Sequence, residues 1–83
     1  MKAKVYVTLK KSVLDPQGKT IQAALDALGF RDVAETRAGK MFEISFKDGL
    51  ERAKLESDLR KMCERLLANP VIEDYRWEIA DSG

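Results

Sequence analysis

Leu66-Leu67-Ala68-Asn69-Pro70-Val71-Ile72-Glu73-Asp74-Tyr75-Arg76-Trp77 decides how this chain folds, because a helical pattern ends within it and an extended pattern begins. Proline has no amide to donate and its ring pushes the preceding residue out of the α region, so the helix must stop by Ala68. From Val71 onward the side chains alternate. Tyr75, Trp77 and Ile79 fall on one face and Asp74, Arg76 and Glu78 on the other, the period of a half-buried strand. The expectation is a helix packed on a sheet.

Upstream of this junction, Leu55, Leu59, Met62, Cys63 and Leu66 recur at i, i+4, i+7, i+8 and i+11, one apolar stripe of a helix that Asp48-Gly49 is expected to open. An earlier helix starts at Asp15-Pro16, where the aspartate can cap the first free amides and proline occupies the tolerated first position. Its stripe is Ile21, Ala24, Leu25 and Leu28; Gly29 closes it in the left-handed conformation, with Phe30 folding back on Leu25. Ala3, Val5, Val7 and Leu9 alternate with polar partners, as do Phe42, Ile44 and Phe46, and both segments read as strands. Ala38-Gly39-Lys40 is either a hairpin turn or a bulge in one long bent strand, the hairpin being the preferred reading.

The expected fold class is therefore α+β, an antiparallel sheet with two helices on one face, in the order β-α-β(β)-α-β. The opposite sheet face would carry Tyr6, Thr8, Met41, Glu43 and Ser45, a semi-apolar surface for solvent or for self-association. Asp81-Ser82-Gly83 is expected to fray.

At 83 residues the chain is a single domain, residues 1–83, with a core so thin that self-association would add useful stability. Fifteen basic and 14 acidic side chains nearly cancel, so no strong field directs it to nucleic acid or an anionic membrane. A single cysteine, Cys63, cannot form an internal disulfide, and Met1 to Tyr6 lacks the apolar core of a signal peptide; a cytoplasmic location is expected. Cys63 reads as a small buried hydrophobe rather than a nucleophile.

Catalytic chemistry is harder to place. The chain has no histidine, and Glu73-Asp74, adjacent on a strand, point to opposite faces and cannot flank one substrate bond. Neither a metal-ligand spacing nor a phosphate-cradling glycine loop is present in the sequence. Gly39 to Phe46 has the aromatic alternation of an RNA-binding strand, but Glu43 and the balanced charge oppose that reading. No catalytic, cofactor-binding or metal-binding residue is assigned.

Val5-Tyr6-Val7-Thr8-Leu9-Lys10, Val13-Leu14-Asp15-Pro16-Gln17-Gly18, Arg37-Ala38-Gly39-Lys40 and the run from Met62 to Tyr75 together resemble the small PurS-type subunit of phosphoribosylformylglycinamidine synthase. The resemblance runs from the first strand to about Trp77. It implies a non-catalytic subunit in the fourth step of purine synthesis, bridging a large synthase subunit that uses ATP and magnesium and a glutaminase that supplies ammonia. It also implies a dimer, or a dimer of dimers. The family motif falls on Asp15, Pro16, Gln17, Gly18, Arg37, Gly39, Lys40, Asn69, Pro70, Asp74 and Tyr75. Caps and helix breakers account for Asp15, Pro16, Gly18, Asn69 and Pro70, whereas Gln17, Arg37 and Lys40 have no such local account and are the expected partner contacts. The competing expectation is a free-standing ferredoxin-like module that senses a small ligand.

Overall fold

The computed structural model describes residues 1–80; Asp81 to Gly83, expected to fray, lie outside the described residues. The chain runs β1 (Lys2–Leu9), α1 (Pro16–Ala27), β2 (Gly39–Ser45), α2 (Arg52–Met62), a π-helical turn (Cys63–Leu67) and β3 (Glu73–Ala80). The three strands form one antiparallel sheet in the order β2-β1-β3.

Central position in the sheet suits β1, whose alternate residues Ala3, Val5 and Val7 are all buried. Val5 lies opposite both Phe42 and Trp77, so the three apolar faces coincide and form one side of the core. On that side α2 delivers Leu55 and Leu59, and the π-helical turn delivers Cys63, all fully buried. Burying a leucine contributes on the order of 1.5–3 kcal/mol, so these few contacts carry most of what holds the sheet to its helix.

The π-helical turn corrects the expected stripe. The Ala68 amide donates to the Cys63 carbonyl (2.9 Å), five residues back. This wider turn holds one extra residue and rotates the following side chains, so Leu67 and Ala68 face the core while Leu66 is 81% exposed. Ala68 then adopts an extended conformation and the helix ends where Pro70 requires. Asn69 builds the turn: its side chain accepts from the Val71 amide (3.1 Å), its carbonyl accepts from Ile72 and Glu73, and its own amide donates to Glu73 Oε1 (2.7 Å). The strand consequently starts at Glu73, two residues later than the alternation suggests.

Three further expectations change. Residues 33–38 belong to no strand, so the central segment is neither a hairpin nor a long bent strand; β2 begins directly at Gly39. Asp48 does not cap α2, which starts after Glu51 with no side chain bonded to its free amides. Only α2 covers the sheet. The α1 helix forms as expected, capped by Asp15 and closed by Gly29 (φ +99°), with the Gly29 amide donating to Asp26 and the Phe30 amide to Leu25 (both 3.0 Å). Yet Gly18 is its only buried residue. Two constraints separate the helices. A tight turn folds α2 back against β3, the neighbour of β1, whereas α1 is joined to β2 by the long connection of residues 28–38 and is free to point elsewhere.

Candidate functional site

The motif residues before and after α1, far apart in sequence, converge at one knot. Asp15 is 4% exposed, and its carboxylate accepts from the Gly18 amide (2.9 Å) and from the Ala38 amide (2.7 Å). One oxygen therefore starts α1 while the other fixes the approach to β2. Gly18 is required there, because a Cβ would collide with the Thr36 carbonyl oxygen and with the Asp15 carboxylate. Arg37 completes the knot from the opposite direction. Its guanidinium donates to the carbonyls of Lys10 (2.9 Å), Val13 (3.1 Å) and Leu9 (3.4 Å), holding the end of β1 and the loop that follows. The Gly18 and Ala38 amides, aided by the Arg37 charge, hold the Asp15 carboxyl below the usual carboxylate range.

Arg37, expected as a partner contact, thus has a structural account that local sequence could not supply: its partners lie 24 to 28 residues away. Gln17 and Lys40 remain exposed on either side of the knot, Gln17 on the first turn of α1 and Lys40 at the start of β2 with its ammonium 5.9 Å from the Phe42 ring centre. The structure gathers the three around one junction, and all three are exposed, Arg37 with one guanidinium nitrogen on the backbone carbonyls.

Beyond the knot, α1 presents apolar surface. Ile21, Leu28 and Phe30 are exposed, Leu28 to 73%, beside the half-buried Leu25. The connecting segment returns alongside the helix, where Gln22 donates to the Ala34 carbonyl (3.3 Å). This exposed stripe is a second apolar surface beside the semi-apolar outer face of the sheet. The outer face is occupied by charge: Lys2 pairs with Glu43 (2.8 Å), Lys10 with Asp74 (3.2 Å) and Arg76 with Glu78 (3.2 Å), while the Arg76 guanidinium lies 4.1 Å from the Tyr6 ring centre. A shallow depression of about 360 Å³ beside Tyr6, Thr8, Met41 and Arg76 is open to solvent.

Chemically reactive groups are few. Burial pushes the Cys63 thiol up, away from the reactive thiolate, as expected for a core hydrophobe. Tyr75 is pushed up by burial and by donating its hydroxyl to Glu64 (3.1 Å), which ties β3 to the π-helical turn. Among the described residues no cluster of three His, Cys, Asp or Glu side chains could hold a metal ion.

A family model described as "PurS: Phosphoribosylformylglycinamidine (FGAM) synthase" matches residues 2–81. The chain belongs to the PurS family. It is 46% identical over 82 residues to the phosphoribosylformylglycinamidine synthase subunit PurS of Bacillus subtilis, covering 96% of this chain and 93% of that protein. The B. subtilis PurS structure superposes with a TM-score of 0.83 over 96% of this chain and 98% of that one. The Methanocaldococcus jannaschii PurS structure, described as one of the subunits of formylglycinamide ribonucleotide amidotransferase in the purine biosynthetic pathway, gives 0.81 at 45% identity, covering 93% and 92%. A chain in the structure of PurLQS from Thermotoga maritima gives 0.83 at 31% identity, covering 93% of each.

Proposed function

We propose that this chain is the small PurS subunit of a phosphoribosylformylglycinamidine synthase. In this reading it joins the glutaminase subunit to the large synthase subunit and supports transfer of ammonia between them. The T. maritima chain from the PurLQS structure carries the proposal, since 93% of this chain superposes on it. The geometry supports the same role. Much of the buried apolar surface serves the sheet and α2, and one amphipathic helix is left with its apolar side outward on a chain that needs partners.

ATP and magnesium belong, in this reading, to the large subunit, whose reaction they drive; the sequence has no glycine loop for phosphate, and the described residues include no carboxylate cluster for the metal. The chain associates with itself through the α1 stripe, and Gln17 and Lys40 are contacts to the other subunits. The setting is cytoplasmic. No helix among the described residues is long and apolar enough to cross a membrane.

Reconstitution tests the proposal. Alone, the chain is expected to show no ATPase, glutaminase or amidine-forming turnover; mixed with the two partner subunits it should switch on glutamine-dependent synthesis, with less effect on synthesis from added ammonia. Undiminished glutamine-dependent synthesis without this chain would overturn it.

A further inference from the structure

Asp48-Gly49 forms the turn between β2 and α2, and both residues are exposed. Among the described residues no hydrogen bond engages the Asp48 carboxylate or the Gly49 amide, and Asp48 does not cap α2. Gly49 has φ +83°, and a Cβ placed on it would meet nothing within 4 Å, so the space around its amide is open. A free carboxyl therefore lies one bond frame away from a free, uncrowded amide nitrogen on a backbone that no ladder holds.

We infer that Asp48 is a site of spontaneous isoaspartate formation. The Gly49 nitrogen attacks the carboxyl carbon of the Asp48 side chain; a C–N bond forms, a C–O bond breaks, and the hydroxyl leaves with the amide proton as water, closing a succinimide ring. Water then reopens the ring. Addition at the side-chain carbonyl restores aspartate, whereas addition at the main-chain carbonyl routes the backbone through the side chain, lengthens it by a methylene and leaves the former main-chain carbonyl carbon as the free acid. The water lost in closure is regained in opening, so mass and charge do not change.

The fold shields the other described aspartates. Asp15 precedes Pro16, which has no amide hydrogen, and its carboxylate is held by Gly18 and Ala38. Asp26, Asp58 and Asp74 lie within α1, α2 and β3. Asp32 is exposed on a connection, as Asp48 is, but the β-branched Val33 crowds the amide that would attack. Asn69, the chain's one asparagine, is protected from the same chemistry by Pro70. The product at Asp48 falls just ahead of Glu51, where α2 starts without a side-chain cap and its first bond runs from the Leu55 amide to the Glu51 carbonyl (3.1 Å). A lengthened backbone there loosens the first turn of α2.

The test incubates the full folded chain at neutral pH in water labelled with heavy oxygen, and follows the proteolytic peptide of residues 48–52 by electron-transfer fragmentation, which separates isoaspartate from aspartate. Residue 48 should convert at least about tenfold faster than Asp32 and the aspartates inside helices and strands, which must first open or push past a side chain. The isoaspartyl product should carry solvent oxygen. Conversion in the folded chain should match that in the urea-unfolded chain within about threefold, because the turn is already free. Asp48→Glu, which keeps the charge but closes the larger ring far more slowly, should leave residue 48 unmodified. In the converted chain the amides of residues 52–55 should exchange with solvent faster by about threefold. Residue 48 converting no faster than Asp32, a product without solvent oxygen, or a folded chain more than about tenfold slower than the unfolded one overturns the site. Unchanged exchange at residues 52–55 in the converted chain overturns its effect on α2.

Discussion

The two helices of this chain have similar amphipathic patterns and opposite fates. In α2, Leu55 and Leu59 are fully buried, Leu59 within the cluster formed on β1, while in α1 Ile21 and Leu28 face solvent. A stripe of apolar residues records that a helix needs a covering surface, not which surface will provide it. The connections decide that. A tight Asn69-Pro70 turn folds α2 back over the sheet, whereas a knot at its first turn directs α1 away.

The most forceful way to break this contrast is to shorten one leucine in each helix. Leu59→Ala should destabilise the folded chain by about 2–5 kcal/mol, read from urea unfolding, because it leaves a cavity in a core with little reserve. Leu28→Ala should change the stability of the dissociated chain by no more than about 0.5 kcal/mol, yet weaken self-association. Equal costs in the dissociated chain would mean that α1 is packed in its own protomer after all.

A second contrast concerns acid. The folded-state carboxyl of Asp15 titrates below its unfolded value, so the unfolded chain binds the extra proton first and stability rises with pH through that window. The contribution should be complete above about pH 4, the ordinary aspartate value, and disappear as pH falls through the lower folded one. Asp15→Asn should remove that part of the acid dependence, measured as the midpoint of unfolding between pH 5 and 2. An unchanged acid profile in the variant would place the sensitivity in other lowered carboxyls, Glu43 beside Lys2 and Asp58 beside Lys54.

Both contrasts separate what local sequence can convey from what it cannot. Alternation in β1, β2 and β3, the Asp15 cap, the Gly29 closure and the stop before Pro70 are short-range facts, each legible within a few residues. The π-helical turn was not legible, since an ordinary helical period predicts Leu66 inward and only the backbone bond from Ala68 to Cys63 rotates Leu67 into its place. The structural role of Arg37 was not legible either, for a related reason. Its guanidinium is held by backbone carbonyls, which carry no side-chain signature, on a segment more than 20 residues distant. Gln17 and Lys40, singled out through the resemblance, are exposed.

A smaller effect is expected at the turn that seats α2. Pro70→Ala should cost about 0.4–1 kcal/mol, mainly by giving the unfolded chain more freedom, because Asn69 supplies the bonds that shape the turn in the folded state. Thermal unfolding measures it. A loss of several kcal/mol would show that Pro70 itself holds helix and strand apart.

The smallest change sharpens the comparison most. The helix that is capped, α1, is the exposed one, and the helix that is buried, α2, begins at Glu51 without a side-chain cap, although Glu51 already has the extended backbone (φ −78°, ψ 144°) that a capping residue adopts. Glu51→Asp shortens the side chain so that its carboxylate can reach the amides of the first turn. If packing of Leu55 and Leu59 is what holds α2, the new cap should add only about 0.5 kcal/mol, measured as a small rise in the urea midpoint with an unchanged slope. If the gain reaches about 2 kcal/mol, the upper end of what capping contributes, the start of α2 is frayed in the parent and the burial of Leu55 alone does not secure it. The variant therefore weighs a local bond against a tertiary contact in the helix where sequence predicted the wrong cap and the right core.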